Sequence, residues 1–163
     1  MITFEPFFIT ANAQRISLYR LKTHLGISSS TLSSMRANQS ISTRSLQKLC
    51  FVLSCEPNDI FQVYQDAQVN EETLKANMPS LPHLSRNLGR SGKPDTVLSF
   101  RPLFDTMKEI SFSQSILSDQ LDRKTIDTLR KNKHIRTETI EKLCLMLGCQ
   151  PNNILEFVVP KDE

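Results

Sequence analysis

The residue types best suited to catalysis or metal binding in this sequence are cysteine and histidine. The four cysteines form two pairs, Cys50 with Cys55 and Cys144 with Cys149. Zinc sites normally use closely spaced C-x2-4-C pairs on turns. Here Cys50 lies within a helical pattern, and a continuing helix would place Cys55 on a different face. We therefore expect small apolar thiols in the core, without a metal or a disulfide.

The three histidines, His24, His83 and His134, stand apart from one another in the sequence. None has the Cys, Asp or Glu spacing that a nucleophile, a general base or a metal site requires. The sequence also has no P-loop and no other glycine-rich phosphate cradle. We predict that the protein is not an enzyme and that it uses no cofactor.

The charge of the chain is mildly basic and unevenly distributed. The 163 residues include 20 Lys and Arg against 17 Asp and Glu, a net charge of +3. Residues 1–64 hold six basic and three acidic residues, whereas residues 97–163 hold ten of each. A basic first unit is compatible with nucleic acid, although so small a charge is also common in proteins that are merely soluble. No secretory signal and no apolar run near ~18 residues is present, so we expect a soluble cytoplasmic protein without membrane contact.

One phrase occurs twice in the chain. KLCFVLSCEPNDI, at residues 48–60, is matched by KLCLMLGCQPNNI, at residues 142–154, a constant 94 residues later. Two units of roughly 60 residues are near the lower limit for an independent core, and helices suit such cores. The repeat predicts an all-α fold of two compact five-helix domains, 1–64 and 97–163. The linker, 65–96, contains a possible short helix and a loop rich in Pro, Gly and Ser, and it is treated as flexible.

Helix starts can be placed from capping residues. In the first unit Pro6 suits the first turn of a helix, and Ser17 and Ser28 suit the N-caps of the second and third helices. Ser42 or Thr43 can cap a fourth helix, and Pro57 can open a short fifth helix. The apolar ends of each unit allow two interpretations, short flanking β-strands or core residues beside helices.

The second unit is two residues shorter than the first. Its early part matches the first unit at an offset of 96, and the part from Leu121 onward matches at 94. The missing residues therefore lie between Leu117 and Leu121, in the turn between the second and third helices. Such a loss would rotate the third helix by about 200° unless the ends of both helices re-adjust.

Two short helices joined by a glycine-containing turn are typical of a helix-turn-helix. The stretch from Ile16 to Ser42 resembles the helix-turn-helix proteins of the Cro and lambda-repressor type, also called the Xre family. The resemblance covers about 60 residues of each unit. It rests on the pattern S-x-Y-x-L, on GIS-x-STL, on Asn38 after the third helix, and on LxKLCxxLxCxPxDI.

In that family the third helix enters the DNA major groove, with its N-terminal residues at the bases. Carried onto this chain, the resemblance implies a DNA-binding surface on each unit. The first surface departs from the family, because it is a run of serines and because Leu18 replaces a frequent phosphate-contacting Gln. The residues implied in the first unit are Ser17, Tyr19, Ser28, Ser29, Ser30, Thr31, Ser33, Ser34, Arg36 and Asn38.

The second unit has a strongly basic third helix and a Gln at the position that Leu18 occupies in the first unit. Its basic residues could hold phosphates, although a charged face is often only solvated and Asp122 and Asp127 oppose phosphate. The residues implied in the second unit are Ser113, Gln114, Arg123, Lys124, Thr125, Asp127, Thr128, Arg130, Lys131 and Lys133.

Two classes of function remain open at this point. The first is a sequence-specific, double-stranded-DNA-binding transcriptional regulator of bacterial, phage or mobile-element type, in which two tandem domains bind one asymmetric site. The second is a protein-binding inhibitor built on the same domains, such as an antitoxin or a phage anti-CRISPR protein; a plain dimerisation protein is a third, weaker possibility. A homodimer is plausible through apolar ends that we expect to be exposed: Phe61, Val63, Tyr64, Phe157, Val158 and Val159.

Overall fold

The computed structural model describes residues 1–65, 69–83 and 89–160. Parts of the linker and the last three residues of the predicted second domain therefore lie outside the described residues. The first unit consists of β1 (Ile2–Thr3), α1 (Glu5–Ala13), α2 (Leu18–Thr23), α3 (Ser29–Arg36), α4 (Thr43–Leu53), a 3-10 turn (Pro57–Asp59) and β2 (Gln62–Val63).

The second unit repeats this order. Its elements are β3 (Val97–Ser99), α6 (Arg101–Glu109), α7 (Gln114–Gln120), α8 (Arg123–Arg130), α9 (Thr137–Leu147), a 3-10 turn (Pro151–Asn153) and β4 (Glu156–Val158). The linker contributes α5 (Glu71–Ala76) and a 3-10 turn (Leu81–His83). The all-α prediction is confirmed, and the fifth predicted helix of each unit is a single 3-10 turn.

The first and last strands of each unit pair with each other. β1 pairs antiparallel with β2, with Ile2 opposite Val63, and β3 pairs antiparallel with β4, with Leu98 opposite Phe157. The strand interpretation of the unit ends is therefore correct. The expected exposure of these ends is wrong for Phe61, which is fully buried with its ring 5.7 Å from that of Phe4.

The predicted caps stand at the starts of the helices. The hydroxyls of Ser17, Ser28 and Ser42 accept hydrogen bonds from backbone N–H groups one turn later, at the N-termini of α2, α3 and α4. Each cap satisfies a donor that a helix start leaves unpaired. The apolar stripe of α4 is buried along its whole length, as its spacing indicates.

The shortened turn of the second unit is absorbed without rotating its third helix. In the first unit the N–H of Ile27 bonds to the carbonyl of Leu21, six residues back, at 2.9 Å. In the second unit the N–H of Leu121 bonds to the carbonyl of Leu117, only four residues back, at the same distance. The wide turn of the first unit is thus replaced in the second by one additional helical hydrogen bond at the end of α7. Ile27 and Leu121 are nevertheless both buried.

The consequence is that α8 buries the same face as α3. Leu32 and Met35 of α3 are buried, and so are Ile126 and Leu129, their counterparts at an offset of 94. The change of about 200° expected for an uncompensated loss of two residues does not occur, because the helix ends re-adjust.

The described part of the linker packs on the first unit, contrary to its treatment as flexible. Leu74 and Met78 are buried. The side chain of Gln62 donates to the carbonyl of Leu74 at 2.8 Å. Further along, the N–H of Arg90 donates to the carbonyl of Val52 at 3.0 Å.

The two units face each other across a pseudo-two-fold axis. The N–H of Thr43 donates to the carbonyl of Ile135, and the N–H of Thr137 donates to the carbonyl of Ile41, both at 2.8 Å. The threonine hydroxyls add two further bonds across the interface. The Thr43 hydroxyl accepts from the N–H of Ile135 at 3.0 Å, and the Thr137 hydroxyl accepts from the N–H of Ile41 at 2.9 Å. Each residue thus plays the same role as its counterpart 94 positions later, which is the pattern of an isologous interface.

A second layer of the interface repeats the symmetry. The N–H of Asn58 donates to the side-chain oxygen of Asn152 at 2.9 Å, and the N–H of Asn152 donates to that of Asn58 at 2.8 Å. Gln150 adds two bonds to the backbone of Val63, whose side chain is buried at this contact. The predicted exposure of Val63 is therefore wrong, because it lies against the second unit.

Candidate nucleic-acid interface

The outer face of α3 is small, polar and almost uncharged. Leu32 and Met35 hold the helix against the core, so the opposite side faces solvent. Of the predicted residues in α2, α3 and their caps, Ser17, Tyr19, Ser28, Ser29, Ser30, Ser33 and Arg36 are exposed, and Thr31 and Ser34 are half-buried. The structure thus brings these residues to one surface.

Several of these hydroxyls are already bonded within the protein. The Ser28 oxygen accepts from the N–H of Thr31 at 3.2 Å and contacts the Thr31 hydroxyl at 2.8 Å. Ser17 accepts from the N–H of Arg20 at 3.1 Å. Capping occupies lone pairs of Ser17 and Ser28, and the Ser30 hydroxyl lies 3.1 Å from that of Ser28, so Ser29 and Ser33 are the hydroxyls best placed to meet a ligand.

A shallow groove separates α2 from α3. It has a volume of about 260 Å³, and Tyr19, Lys22 and Arg36 contribute its polar walls. Tyr19 is 72% exposed, and its ring packs edge-on against His24. A tyrosine held on the surface in this way carries a hydroxyl and an aromatic face toward solvent.

Asn38 has a structural contact that its sequence position did not reveal. It takes a left-handed φ of 53° just after α3, and its side-chain oxygen accepts from the N–H of Phe4 at 3.0 Å. Asn132 does the same in the second unit, where it accepts from the N–H of Phe100 at 2.8 Å. The amide oxygen of Asn38 therefore joins the end of α3 to the start of the unit.

The outer face of α8 is basic. Ile126 and Leu129 face the core, and the predicted residues lie on the remaining surface. Ser113, Gln114, Arg123, Lys124, Asp127, Arg130, Lys131 and Lys133 are exposed, and Thr125 and Thr128 are half-buried.

Two internal contacts shape this basic surface. Arg130 donates to the side-chain oxygen of Gln114 at 3.1 Å, which ties the end of α8 to the start of α7. Asp122 caps α8 by accepting from the N–H of Thr125 at 2.7 Å. Hydrogen bonds from Thr125 lower the pKa of Asp122, so its carboxylate stays charged beside the basic residues.

The interface between the units was not found from the sequence, although a signal was present. Ile41 and Thr43 recur as Ile135 and Thr137 at the same offset. The recurrence of an isoleucine and a threonine two residues apart at the start of a helix can be explained by helix capping alone. Its pairing with its own copy is a tertiary property that no local pattern encodes.

Other kinds of site are not evident in the described parts of the chain. Within residues 1–65, 69–83 and 89–160, no group of three or more His, Cys, Asp or Glu residues is arranged to hold a metal ion. A search of the same ranges finds no helix with the length and apolar character needed to cross a membrane.

Comparison with known protein families gives the same family in both units. The family model described as a Cro/C1-type HTH DNA-binding domain matches residues 11–66 and residues 106–160. No match was found to a curated protein or to a solved structure. The matched ranges contain both candidate surfaces and both halves of the interface between the units.

Proposed function

Because the chain belongs to the Cro/C1-type helix-turn-helix DNA-binding family through both of its units, we propose that it is a sequence-specific transcriptional regulator. It binds double-stranded DNA and is of bacterial, phage or mobile-element type. Both units of a single chain contact one duplex, and the action involves no catalytic step and no cofactor. The observation that carries this proposal is the pseudo-two-fold pairing through Thr43 and Thr137.

The pseudo-two-fold axis relates α3 and α8, which are the recognition helices of this proposal. The contacts of residues 40–43 and 134–138 begin a few residues after α3 and α8 end. The C-terminal ends of both helices are therefore followed closely in the chain by the paired segments. Dimers of helix-turn-helix domains use this kind of symmetry to reach half-sites about 34 Å apart. A single chain with an internal axis can do so without a second copy.

The two half-sites are not equivalent in this proposal. Ser29 and Ser33 of α3 offer hydroxyls, which can bond several base edges and therefore discriminate weakly. Arg123 and Lys124 at the start of α8 offer charges for phosphate. We therefore propose an asymmetric operator, held mainly by electrostatic contacts of the second unit and positioned by the first.

A gel shift on DNA from around the protein's own gene tests the proposal, with random DNA as competitor and a series of salt concentrations. We expect a specific band that weakens steeply with salt, because phosphate contacts release counterions. Binding that is weak and independent of sequence would contradict the proposal.

One observation favours a second candidate, a protein-binding inhibitor of the antitoxin or anti-CRISPR kind. Large apolar side chains are exposed on the second unit, among them Ile110 at 50%, Ile116 at 47% and Leu145 at 36%. Ile116 lies on α7, within the helix-turn-helix itself. A partner protein seated there would cover the α7 surface that DNA also needs, and the two functions are therefore separable by competition.

A further inference from the structure

Both cysteine pairs are built by the same helix end. Ser54 and Gly148 take left-handed φ angles of 51° and 63° just after α4 and α9. The chain then turns back, so that the N–H of Cys55 bonds to the carbonyl of Cys50 and the N–H of Cys149 bonds to that of Cys144, both at 3.0 Å. This six-to-one bond defines a Schellman motif, in which the two bonded residues also bring their side chains together.

The predicted separation of the cysteines onto different faces is therefore wrong. A nitrogen-to-oxygen distance of 3.0 Å and standard bond lengths keep the α-carbons of Cys144 and Cys149 within about 7 Å. Disulfides usually join α-carbons 4.4–6.8 Å apart, roughly the range that this bond imposes. In each pair the neighbouring thiol raises the pKa of one cysteine, Cys55 in the first pair and Cys144 in the second.

The two pairs differ in the charges that surround them. Burial raises the pKa of Cys55, the thiol of Cys50 raises it further, and the carboxylates of Asp59 and Glu56 add smaller effects in the same direction. The corresponding neighbours of Cys149 are the uncharged amides of Gln150 and Asn153. The pKa of Cys149 is lowered by the hydrogen bond from Cys144. The carboxylate of Glu141 acts on Cys144 instead. Because carboxylates disfavour the reactive thiolate, we expect a thiolate to form more readily at Cys149 than at Cys55.

The pairs also differ in the contacts made by the residues next to them. In the first unit the guanidinium of Arg90 lies 4.8 Å from the ring centre of Phe51 and donates to the hydroxyl of Ser54 at 2.9 Å. Leu145 and Gly148 hold the corresponding positions of the second unit. Together with Cys149 they line an open groove of about 490 Å³.

We propose that Cys144 and Cys149 form an oxidisable dithiol, a modification site that reacts with hydroperoxides through the groove between the units. The Cys149 thiolate attacks the peroxide, the O–O bond breaks, and Cys149 becomes a sulfenic acid as water leaves. The thiol of Cys144 then attacks that sulfur and expels a second water. Two thiols are oxidised to one disulfide, and one hydrogen peroxide is reduced to two waters.

The first test uses the unmodified full-length chain, with the first pair as an internal control. The native protein is exposed briefly to hydrogen peroxide, the remaining thiols are alkylated after denaturation, and the peptides are identified by mass spectrometry. We expect the Cys144–Cys149 disulfide to form several-fold faster than any Cys50–Cys55 disulfide. Equal rates for the two pairs, or faster oxidation of the first pair, would overturn the proposal.

Two variants assign the roles of the residues. In Cys144→Ser the sulfenic acid on Cys149 should persist and react with dimedone, because no thiol remains to displace it. In Asn153→Asp a carboxylate takes the place of the amide oxygen that accepts from the N–H of Gln150 at 3.2 Å. This variant copies the bond that Asp59 makes to the N–H of Glu56.

The added charge of Asn153→Asp should slow alkylation of Cys149 by iodoacetamide, since each unit of pKa changes the thiolate population about tenfold. The matched variant Asp59→Asn should speed alkylation of Cys55. If neither variant changes its rate, the charge difference does not control reactivity. If Cys144→Ser gives no dimedone adduct, Cys149 is not the attacking thiol.

Discussion

The two units reach the same geometry by different local means, and the turn between the second and third helices shows how. The first unit uses five residues, 24–28, of which Gly26 takes a φ of 75°. The second unit uses only Leu121 and Asp122, and α7 continues for one further residue before the turn. In both units an apolar residue just before the N-cap is buried in the core, Ile27 in the first unit and Leu121 in the second. The second unit can thus be two residues shorter, because the buried side chain and the N-cap are both kept.

The units differ most in what covers them. α5 and Arg90 of the linker lie on the first unit, where Leu74 and Met78 are buried. The second unit lacks such a cover among the described residues, and Val97, Leu145 and Val158 are partly exposed there. The two units are related by symmetry but differ in their surroundings, because the basic and apolar surfaces of the second unit remain open to solvent.

The largest effect should come from removing the buried side chains that hold α3 and α8 against their cores. Met35→Ala and Leu129→Ala each remove a fully buried side chain at the same position of α3 and α8. We expect each to lower the free energy of unfolding by about 2–5 kcal/mol in denaturant titrations. A cost below about 1 kcal/mol for Leu129→Ala alone would show that α8 is not packed as α3 is.

The interface between the units should give the next largest effect. Thr137→Val keeps the size of a fully buried side chain but removes the hydroxyl that accepts from the N–H of Ile41. Leaving that N–H unpaired should cost about 1–3 kcal/mol in the free energy of unfolding.

The controls for the interface are Thr137→Ser, which keeps the hydroxyl, and Thr43→Val, which removes the symmetric bond. Thr137→Ser should cost less than Thr137→Val, and the two valine variants should behave alike. If Thr43→Val were silent while Thr137→Val was costly, the interface would not be symmetric in solution.

The contribution of the units to DNA binding can be compared directly. We expect the pair Arg123→Ala and Lys124→Ala to weaken specific binding by about 1–3 kcal/mol per lost contact and to reduce the salt slope by about 1 for each phosphate contact removed. Arg36→Ala tests the first unit in the same assay. Unchanged affinity and slope in all of these variants would show that the assigned surfaces are wrong.

The linker contact predicts a smaller effect. Arg90→Ala removes a cation–π contact with Phe51 and a bond to Ser54, both at an exposed site. We expect a loss of about 0.5–1 kcal/mol in the free energy of unfolding. Arg90→Lys, which keeps the charge without the planar group, should recover only part of it. Hydrogen exchange of the backbone N–H at position 90, which donates to the carbonyl of Val52, should become faster in Arg90→Ala, and an unchanged rate would contradict the contact.

The smallest effect concerns pH. His134 bonds to the Thr43 hydroxyl across the interface at 2.9 Å, and burial with the nearby charge of Arg44 lowers its pKa. A depressed histidine pKa favours the neutral form in the folded state. The contribution of neutral His134 to the free energy of unfolding is therefore complete above the ordinary histidine pKa of about 6.5. It is lost as the pH falls through the lower pKa of the folded state. Thermal unfolding from pH 7 to pH 5 should show a smaller decline in His134→Asn; an equal decline would exclude His134 as the cause.

Much of this architecture was predictable because it depends on local sequence patterns. The repeat at residues 48–60 and 142–154, the caps at Ser17 and Ser28 and the stripe of α4 each reflect short-range geometry. The compensated turn was not predictable, since the choice between a bond four or six residues back depends on where Leu121 must pack. The packing of the linker and the pairing of Thr43 with Ile135 are tertiary contacts, which propensity and periodicity do not contain.

The central claim is that one chain presents two paired recognition helices to one duplex. Its most direct test is the stoichiometry of the specific complex by native mass spectrometry, combined with a hydroxyl-radical footprint of the same complex. We predict one chain per duplex and two protected segments about 34 Å apart, with unequal strengths of protection. Two chains per duplex, or protection of a single segment by one chain, would contradict the account.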